Sequence, residues 1–203
     1  MVAQHYFTST PDTPERRRTV RVELAGRERE VTTANGIFSP DGLDKGTHAL
    51  LARVPAPPAE GTFLDIGCGW GPIALTLALE SPDATVHAVD VNERSLGLTR
   101  DNAAALGCSC VVASTPESVD AGIRFDLIWS NPPIRVGKEA LHEILLTWLP
   151  RLAVGGEAYL VVQKNLGSDS LQAWMERELG EAYEVERFAR EKAFRVLRVA
   201  RLG

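Results

Sequence analysis

The chain has 203 residues, 44% of them hydrophobic, and a formal net charge of −5. That length and apolar share suit one α/β domain with a proper core plus a short N-terminal extension, and the acidic balance argues against indiscriminate nucleic-acid binding while allowing an enzyme that meets RNA through one basic face. No apolar run approaches the roughly 20 residues needed to cross a bilayer, and the N-terminus lacks the apolar segment of a signal peptide, so a soluble, cytoplasmic protein without membrane contact is expected.

Residues 1–18 are polar and turn-rich, with Pro11 and Pro14, and end in the basic run Arg16-Arg17-Arg18. Val20, Val22 and Leu24 then alternate with charged residues, and Ala25-Gly26 offers a turn before 28–32, which predicts a β-hairpin. The segment 35–51 reads as a loop followed by a helix, with Asp44 or Thr47 as its cap. Pro55, Pro57 and Pro58 break the chain and divide the expected N-terminal extension, 1–54, from the main domain, 55–203.

From Thr62 the apolar pattern alternates regularly. Strands are predicted at 62–66, 85–89, 109–113, 125–129 and 158–162, and helices at 72–79, 93–106, 139–152 and 170–179. Such alternation gives right-handed crossovers and a parallel, doubly wound sheet. The last two strands, 183–188 and 194–199, are too close for a crossover and should form an antiparallel hairpin at one edge. A second cluster of basic residues, Arg187, Arg190, Lys192, Arg195, Arg198 and Arg201, lies on that hairpin and, like the N-terminal run, reads either as a phosphate contact or as a solvated face. Cys68, Cys108 and Cys110 form no C-x-x-C pair, so neither a metal site nor a structural disulfide is expected.

The chemistry concentrates in two short motifs. Asp65-Ile66-Gly67-Cys68-Gly69-Trp70-Gly71-Pro72 joins a predicted strand to a helix, where glycines permit a sharp turn and close approach to a ligand, and where backbone amides and the helix N-terminus would face the crevice at the strand ends. Its G-x-G-x-G spacing is one residue shorter than the dinucleotide fingerprint, which ranks a dehydrogenase low. A tight strand-to-helix turn is the alternative. Asp90 ends the next strand about twenty residues on, where a carboxylate can accept from both hydroxyls of a cofactor ribose; it can instead cap the helix starting near Asn92. Val91 is placed to flank an adenine ring, and Ser114 or Thr115 to reach the ring's edge.

The second motif, Asn131-Pro132-Pro133-Ile134, also follows a strand. Two prolines stiffen the turn, and Pro133 supplies no N–H to compete for the Pro132 carbonyl. The Asn131 side-chain oxygen and that carbonyl can accept both hydrogens of an exocyclic amine and so aim its lone pair at a methyl group bound nearby. No strong base is needed, because the proton can leave after the methyl arrives.

With these residues in hand the chain resembles the class I S-adenosylmethionine-dependent methyltransferases. Asn35-Gly36-Ile37-Phe38-Ser39 followed by Asp44-Lys45-Gly46-Thr47 resembles more narrowly the small-subunit rRNA guanine methyltransferases, the RsmC-like or methyltransferase-small-domain group. The resemblance implies a seven-stranded Rossmann-like sheet of order 3-2-1-4-5-7-6 with S-adenosyl-L-methionine as cofactor. It implies that Asp65, Gly67, Cys68 and Gly69 surround the cofactor's methionine part, that Asp90 holds its ribose and that Asn131 holds the target amine. Thr47 either helps hold the cofactor's carboxylate or caps its helix. The sequence departs from the adenine-modifying pattern in having Ile134 where an aromatic often stacks on the flipped base. Phe38 is a candidate for that stack, or else a packing residue. Arg135 and Lys138 are candidates for phosphate contact, or else solvated charges. The ribosomal enzymes of this group also carry a further N-terminal domain, which residues 1–34 are not expected to replace. The expectation is a methyl transfer to an exocyclic amine of a nucleic-acid base, guanine in small-subunit rRNA first, with rRNA or the small ribosomal subunit as partner; a protein glutamine amide or small-molecule amine is the alternative, and a binding protein without turnover the competing class. The oligomeric state is left open.

Overall fold

The computed structural model describes residues 13–203, so the first twelve residues, read above as polar and turn-rich, lie outside the described residues. A hairpin opens the described chain, with β1 (Arg17–Leu24) antiparallel to β2 (Arg27–Ala34). Ala25 and Gly26 at its tip have φ of 49° and 69°. Left-handed backbone at both central positions makes a type I′ turn, whose twist suits the flanking strands. Val22, Leu24 and Val31 are buried while Arg21, Glu23 and Glu30 face solvent, so the period-2 alternation seats one face of the hairpin on the core. Helix α1 (Lys45–Leu51) follows, with Asp44 as its N-cap: the carboxylate accepts from the Gly46 amide at 2.7 Å.

The main sheet contains β3 (Thr62–Ile66), β4 (Thr85–Val89), β5 (Val111–Ser114), β6 (Phe125–Ser130), β7 (Leu152–Gln163), β8 (Tyr183–Glu191) and β9 (Phe194–Arg201) in the order β5-β4-β3-β6-β7-β9-β8. Numbered within the sheet, that is 3-2-1-4-5-7-6, as expected. The first five strands are parallel, and β9 lies antiparallel between β7 and β8. Helices α2 (Pro72–Glu80) and α3 (Glu93–Leu106) join α1 and the hairpin in one apolar cluster on one face of the sheet. Helices α4 (Lys138–Trp148) and α5 (Ser168–Leu179) close a second cluster on the other face. Along β3 the alternation is direct: Phe63 faces the first cluster, Leu64 and Ile66 the second.

Two elements differ most from expectation. Helix α4 stops at Trp148 because Pro150 cannot continue it; Leu149–Arg151 instead forms a 3-10 turn. Strand β7 starts earlier than its apolar stretch, at Leu152, and a bulge opposite Phe125 and Leu127 absorbs the added residues. The crossover between β5 and β6 carries only a 3-10 turn at Pro116–Ser118. No described helix is long and apolar enough to cross a membrane.

Some members of each basic cluster are engaged in internal pairs. Arg17 bonds to Glu15 and Asp101, Arg18 to Asp41, Arg187 to Asp169, and Arg198 to Glu157, Glu184 and Glu186. Arg198 shares its planar fork among three carboxylates along the β7–β9–β8 edge, so this residue is engaged within the fold.

One buried side chain ties the hairpin to the sheet. Asn102, on α3, is 2% exposed. Its Oδ1 accepts from the Thr32 amide at 2.7 Å, and its Nδ2 donates to the Thr32 carbonyl and to the Trp70 carbonyl, each at 3.0 Å. The Asn102 amide thus completes both backbone groups of a β2 residue and one of the glycine loop. Replacing Asn102 by Ala leaves one buried and two partly buried backbone groups unpaired and is expected to cost about 2 kcal/mol. A urea titration should show a lower midpoint at unchanged slope.

Candidate active site

The glycine loop leaves β3 and enters α2 at Gly71, whose φ is 97°. Thr99 on α3 sits against it, so an added Cβ would meet the Thr99 Oγ1 and Cγ2 at 3.1 Å. Any other residue would be both strained and crowded there. The Thr99 hydroxyl donates to the Gly69 carbonyl at 2.9 Å, fixing the loop from the helix side.

The loop's amides are directed differently from the expectation. Gly67 and Cys68 both donate to the Val89 carbonyl, at 2.8 and 3.0 Å, Gly69 donates to the Asp90 carboxylate at 2.9 Å, and Gly71 donates to the Cys68 carbonyl at 2.9 Å. In the first turn of α2 the Ala74 amide is taken by Asp65 at 3.0 Å, which supplies the cap that Gly71 cannot. With the amides of Gly67, Cys68, Gly69 and Gly71 engaged internally, the loop is a poor cradle for a phosphate. It is a rigid wall with carboxylates close around it.

Those carboxylates are unbalanced. Asp65 is fully buried, its Oδ1 has no partner, and desolvation, with a smaller push from Asp90, raises its pKa from 3.8 to about 8 against the opposing pull of the Ala74 amide. Burial likewise raises the Asp90 pKa despite the amides of Asn92 and Gly69. It raises that of the Cys68 thiol too, with Asp90 and Asp65 adding to the effect. Among the described residues no ion pair neutralises Asp44, Asp65 or Asp90. Carboxyl groups without a counter-charge beside a site favour a cation, whose arrival would bring the raised pKa values of Asp65 and Asp90 back down. This suits S-adenosylmethionine, which carries a sulfonium and an ammonium, and disfavours the pyrophosphate of a dinucleotide.

A small, half-open cleft lies beside the loop, and its lining includes Phe38, Asp44, Thr47, Gly67, Cys68, Gly69 and Asn131. The structure therefore gathers the N-terminal segment, the loop and the Asn131 turn at one place. Ser130 ends β6 by donating its hydroxyl to the Ile66 carbonyl at 2.7 Å, which locks the base of that turn to the base of the loop. The Asn131 Nδ2 donates to Asp44 Oδ2 at 3.0 Å and to Thr47 Oγ1 at 3.1 Å. Pro133, with φ −74° and ψ 72°, adopts an inverse γ-turn in which the Ile134 amide donates to the Pro132 carbonyl at 2.8 Å. So the carbonyl that Pro133 cannot engage is engaged one residue later, and one lone pair remains to it.

Other expected residues are placed as follows. Asp65 stands behind the loop rather than on the cleft. Asp90 does not cap α3; Asn92 does, accepting from Arg94 and Ser95, while Asp90 holds the Gly69 and Asn92 amides. Thr47 is buried and does not cap α1. Val91 is exposed just past β4, and Ser114 pairs with Val89 at the same strand-end edge, both away from the cleft residues. Phe38 is 45% exposed at the cleft, not buried in packing. Ile134 packs against the α4 and α5 cluster. Lys138 is exposed at the start of α4, and the Arg135 side chain lies outside the described residues. Sequence reading placed Asp44 and Gly46 in the family-like segment and took Asp44 as a possible cap, but gave neither a role at the site, and it passed over Thr99 and Asn102. The glycine at 46 was the available signal, since a poor helix former one residue into a helix asks for a reason. Among the described residues no cluster of His, Cys, Asp or Glu could hold a metal.

The methyltransferase small domain model matches residues 28–198. The chain belongs to the methyltransferase small domain family. As a member it is a class I methyltransferase domain of the RsmC-like group, and S-adenosylmethionine is the cofactor of that class. An uncharacterized protein of Bacillus subtilis, YbxB, is 33% identical over 92% of this chain and 94% of its own length. The ribosomal RNA small subunit methyltransferase C of Cronobacter sakazakii is 38% identical over 67% of this chain. The match spans only 41% of that longer protein. The T. thermophilus 16S rRNA N2 G1207 methyltransferase, solved with AdoMet and guanosine, shares the fold at a TM-score of 0.73 and 22% identity, covering 95% of this chain and 52% of that one.

For this methyltransferase small domain the raised Asp65 pKa has a definite sign. A folded-state value of about 8 against 3.8 means that the neutral carboxyl is favoured on folding, a contribution present below about pH 4 and lost as pH rises through about 8. In the protein without ligand, Asp65→Asn should therefore gain stability relative to the parent across that window and then level off. Unfolding midpoints measured from pH 4 to pH 9 test this; a constant difference would contradict it.

Proposed function

We propose that the chain transfers a methyl group to an exocyclic amine of a nucleic-acid base, with guanine in small-subunit rRNA as the first target and the cytoplasm as its place of action. The observation that carries this reading is the Asn131 amide: its hydrogens are consumed by Asp44 and Thr47, which leaves Oδ1 as a pure acceptor beside the cleft. An acceptor held in this way suits an N–H₂ group. It joins the Pro132 carbonyl, one lone pair of which is open.

S-adenosylmethionine, with the loop from Gly67 to Gly69 and Thr47 at its methionine end and Asp90 with Val91 and Ser114 towards its nucleoside, supplies an electrophilic methyl when bound. Asn131 and Pro132 would take the two amine hydrogens and turn the nitrogen lone pair into the cleft, a contribution of orientation rather than of acid–base chemistry. The extra N–H proton can pass to water after the new N–C bond forms, so no group of strongly matched pKa is required. The Thr47 hydroxyl accepts from Asn131 and keeps its own hydrogen to donate into the cleft. Phe38, exposed at the same cleft, offers an aromatic face for a base, which Ile134 cannot provide. Lys138 and Arg135 follow the turn and would meet a backbone phosphate. Two relatives support the substrate class by their own activities, the methyltransferase C of Cronobacter sakazakii on small-subunit rRNA and the T. thermophilus enzyme on guanine N2.

Two measurements test the reading. Incubation with methyl-labelled S-adenosylmethionine and an extract from cells lacking the gene should place label in small-subunit rRNA, with weaker transfer at higher salt; label in protein or small molecules would move the target elsewhere. Asn131→Ala should lower kcat by about 100-fold or more while cofactor Kd changes by less than about threefold.

A further inference from the structure

Resting on that reading, we propose that Asp44 is a positioning residue for methyl transfer, acting through Asn131 and seated by Gly46. A side-chain amide can present either its oxygen or its nitrogen to a neighbour, and the two orientations have nearly the same shape. Thr47 does not choose between them, because a hydroxyl can accept from Nδ2 or donate to Oδ1. Asp44 does choose. An ionised carboxylate only accepts, so the edge of Asn131 that meets Asp44 Oδ2 at 3.0 Å must be the NH₂, and Oδ1 must turn away from it. With the opposite orientation two oxygens would face each other, and Asn131 would present donors where an amine needs an acceptor.

The Asp44 carboxylate is itself held. The same Oδ2 takes the Gly46 amide at 2.7 Å as the cap of α1, so the helix N-terminus fixes the atom that fixes Asn131. Gly46 completes the seat: a Cβ there would lie 2.9 Å from Asp44 Oδ2 and 3.1 Å from both Nδ2 and Oδ1 of Asn131. Equal approach to both amide atoms means that the amide lies flat over the glycine. The pattern D-x-G-T is therefore one device, in which Asp44 supplies the sign of the contact, Gly46 the space and Thr47 the second acceptor.

The test separates orientation from folding. Asp44→Ser keeps a good helix cap but is too short to reach Asn131, and should lower kcat at saturating cofactor by about 10- to 100-fold. Asp44→Asn keeps an oxygen that the Gly46 amide can pin in place, and should recover most of the activity. In an Asn131→Ala background, Asp44→Ser should produce no further loss, because a residue that acts through Asn131 has nothing left to orient. A loss that multiplies in that background, or an unchanged kcat in Asp44→Ser, overturns the proposal. A readout without turnover distinguishes this from failure of the function itself. The Asn131 side-chain NH₂ signals, identified by their disappearance in Asn131→Ala, should sit at hydrogen-bonded positions in the parent and in Asp44→Asn and move towards free-amide positions in Asp44→Ser. If they do not move, Asp44 does not orient Asn131, whatever the substrate proves to be. If they move and the parent methylates no amine, the positioning stands and the methyl-transfer reading falls.

Discussion

The constraint on which the cleft depends is where the glycine loop spends its amides. A loop between a parallel strand and a helix ordinarily leaves donors pointing into the crevice, which is why such loops collect phosphates. Here the neighbouring strand takes them: the Val89 carbonyl receives two, and Asp90, one residue further on, receives a third. The loop is thereby stitched to β4 and cannot open towards an anion. The same stitching brings the Asp90 carboxyl against the loop with no ion-pair partner among the described residues, and Asp65 caps α2 from behind. Carboxylates in this position cost stability in the free protein and gain when a cation arrives, so the choice of cofactor class is written into the hydrogen bonds that shape the turn.

Helix α3 carries the arrangement outward. Its buried polar side chains reach beyond the helix itself. Thr99 reaches the loop, Asn102 reaches both the loop and β2, and Asn92 caps the helix while donating to the Gly36 carbonyl at 2.9 Å. Arg94 adds bonds to the carbonyls of Asn35 and Thr13. The hairpin and the segment that follows it are therefore attached to the same helix that fixes the loop. This is how α1, far from Asn131 in sequence, comes to lie beside it with the correct register.

Much of this could be read before any coordinates. The apolar alternation placed β3, β4 and α3 at their observed ends, because each is bounded by residues that punctuate strongly: Gly61, Gly67, Asp90, Asn92 and Gly107. The sheet order and the closing hairpin followed from spacing together with the family resemblance. What escaped was chemistry that depends on tertiary approach. Nothing in the local sequence says that the Gly67 amide will find Val89, or that Asn102 will mimic a strand partner for Thr32. The start of β7 escaped for a different reason: Val154-Gly155-Gly156 has too little apolar character to read as strand, and only pairing with Phe125 across a bulge recruits it. The partners of Arg17 and Arg198 were also hidden, since charge clusters carry no sign of the carboxylates that the fold brings to them.

Phe38 illustrates how backbone anchoring can override burial. An aromatic side chain gains about 2 kcal/mol or more by leaving water, yet this one stands 45% exposed beside the cleft while its neighbour Ile37 is wholly buried. The surrounding bonds leave little choice. Asn92 holds the Gly36 carbonyl, the Thr33 hydroxyl holds that of Pro40 at 2.6 Å, and the Ser39 hydroxyl donates to Gly42 at 2.8 Å. Ser39 itself has φ of 47°, an uncommon conformation for a residue with a side chain. A strained turn that is held from both sides and puts an aromatic face at the cleft mouth spends stability on presentation. In a protein whose opposite cleft wall is the Asn131 turn, a flat apolar ligand is the partner that would repay that cost.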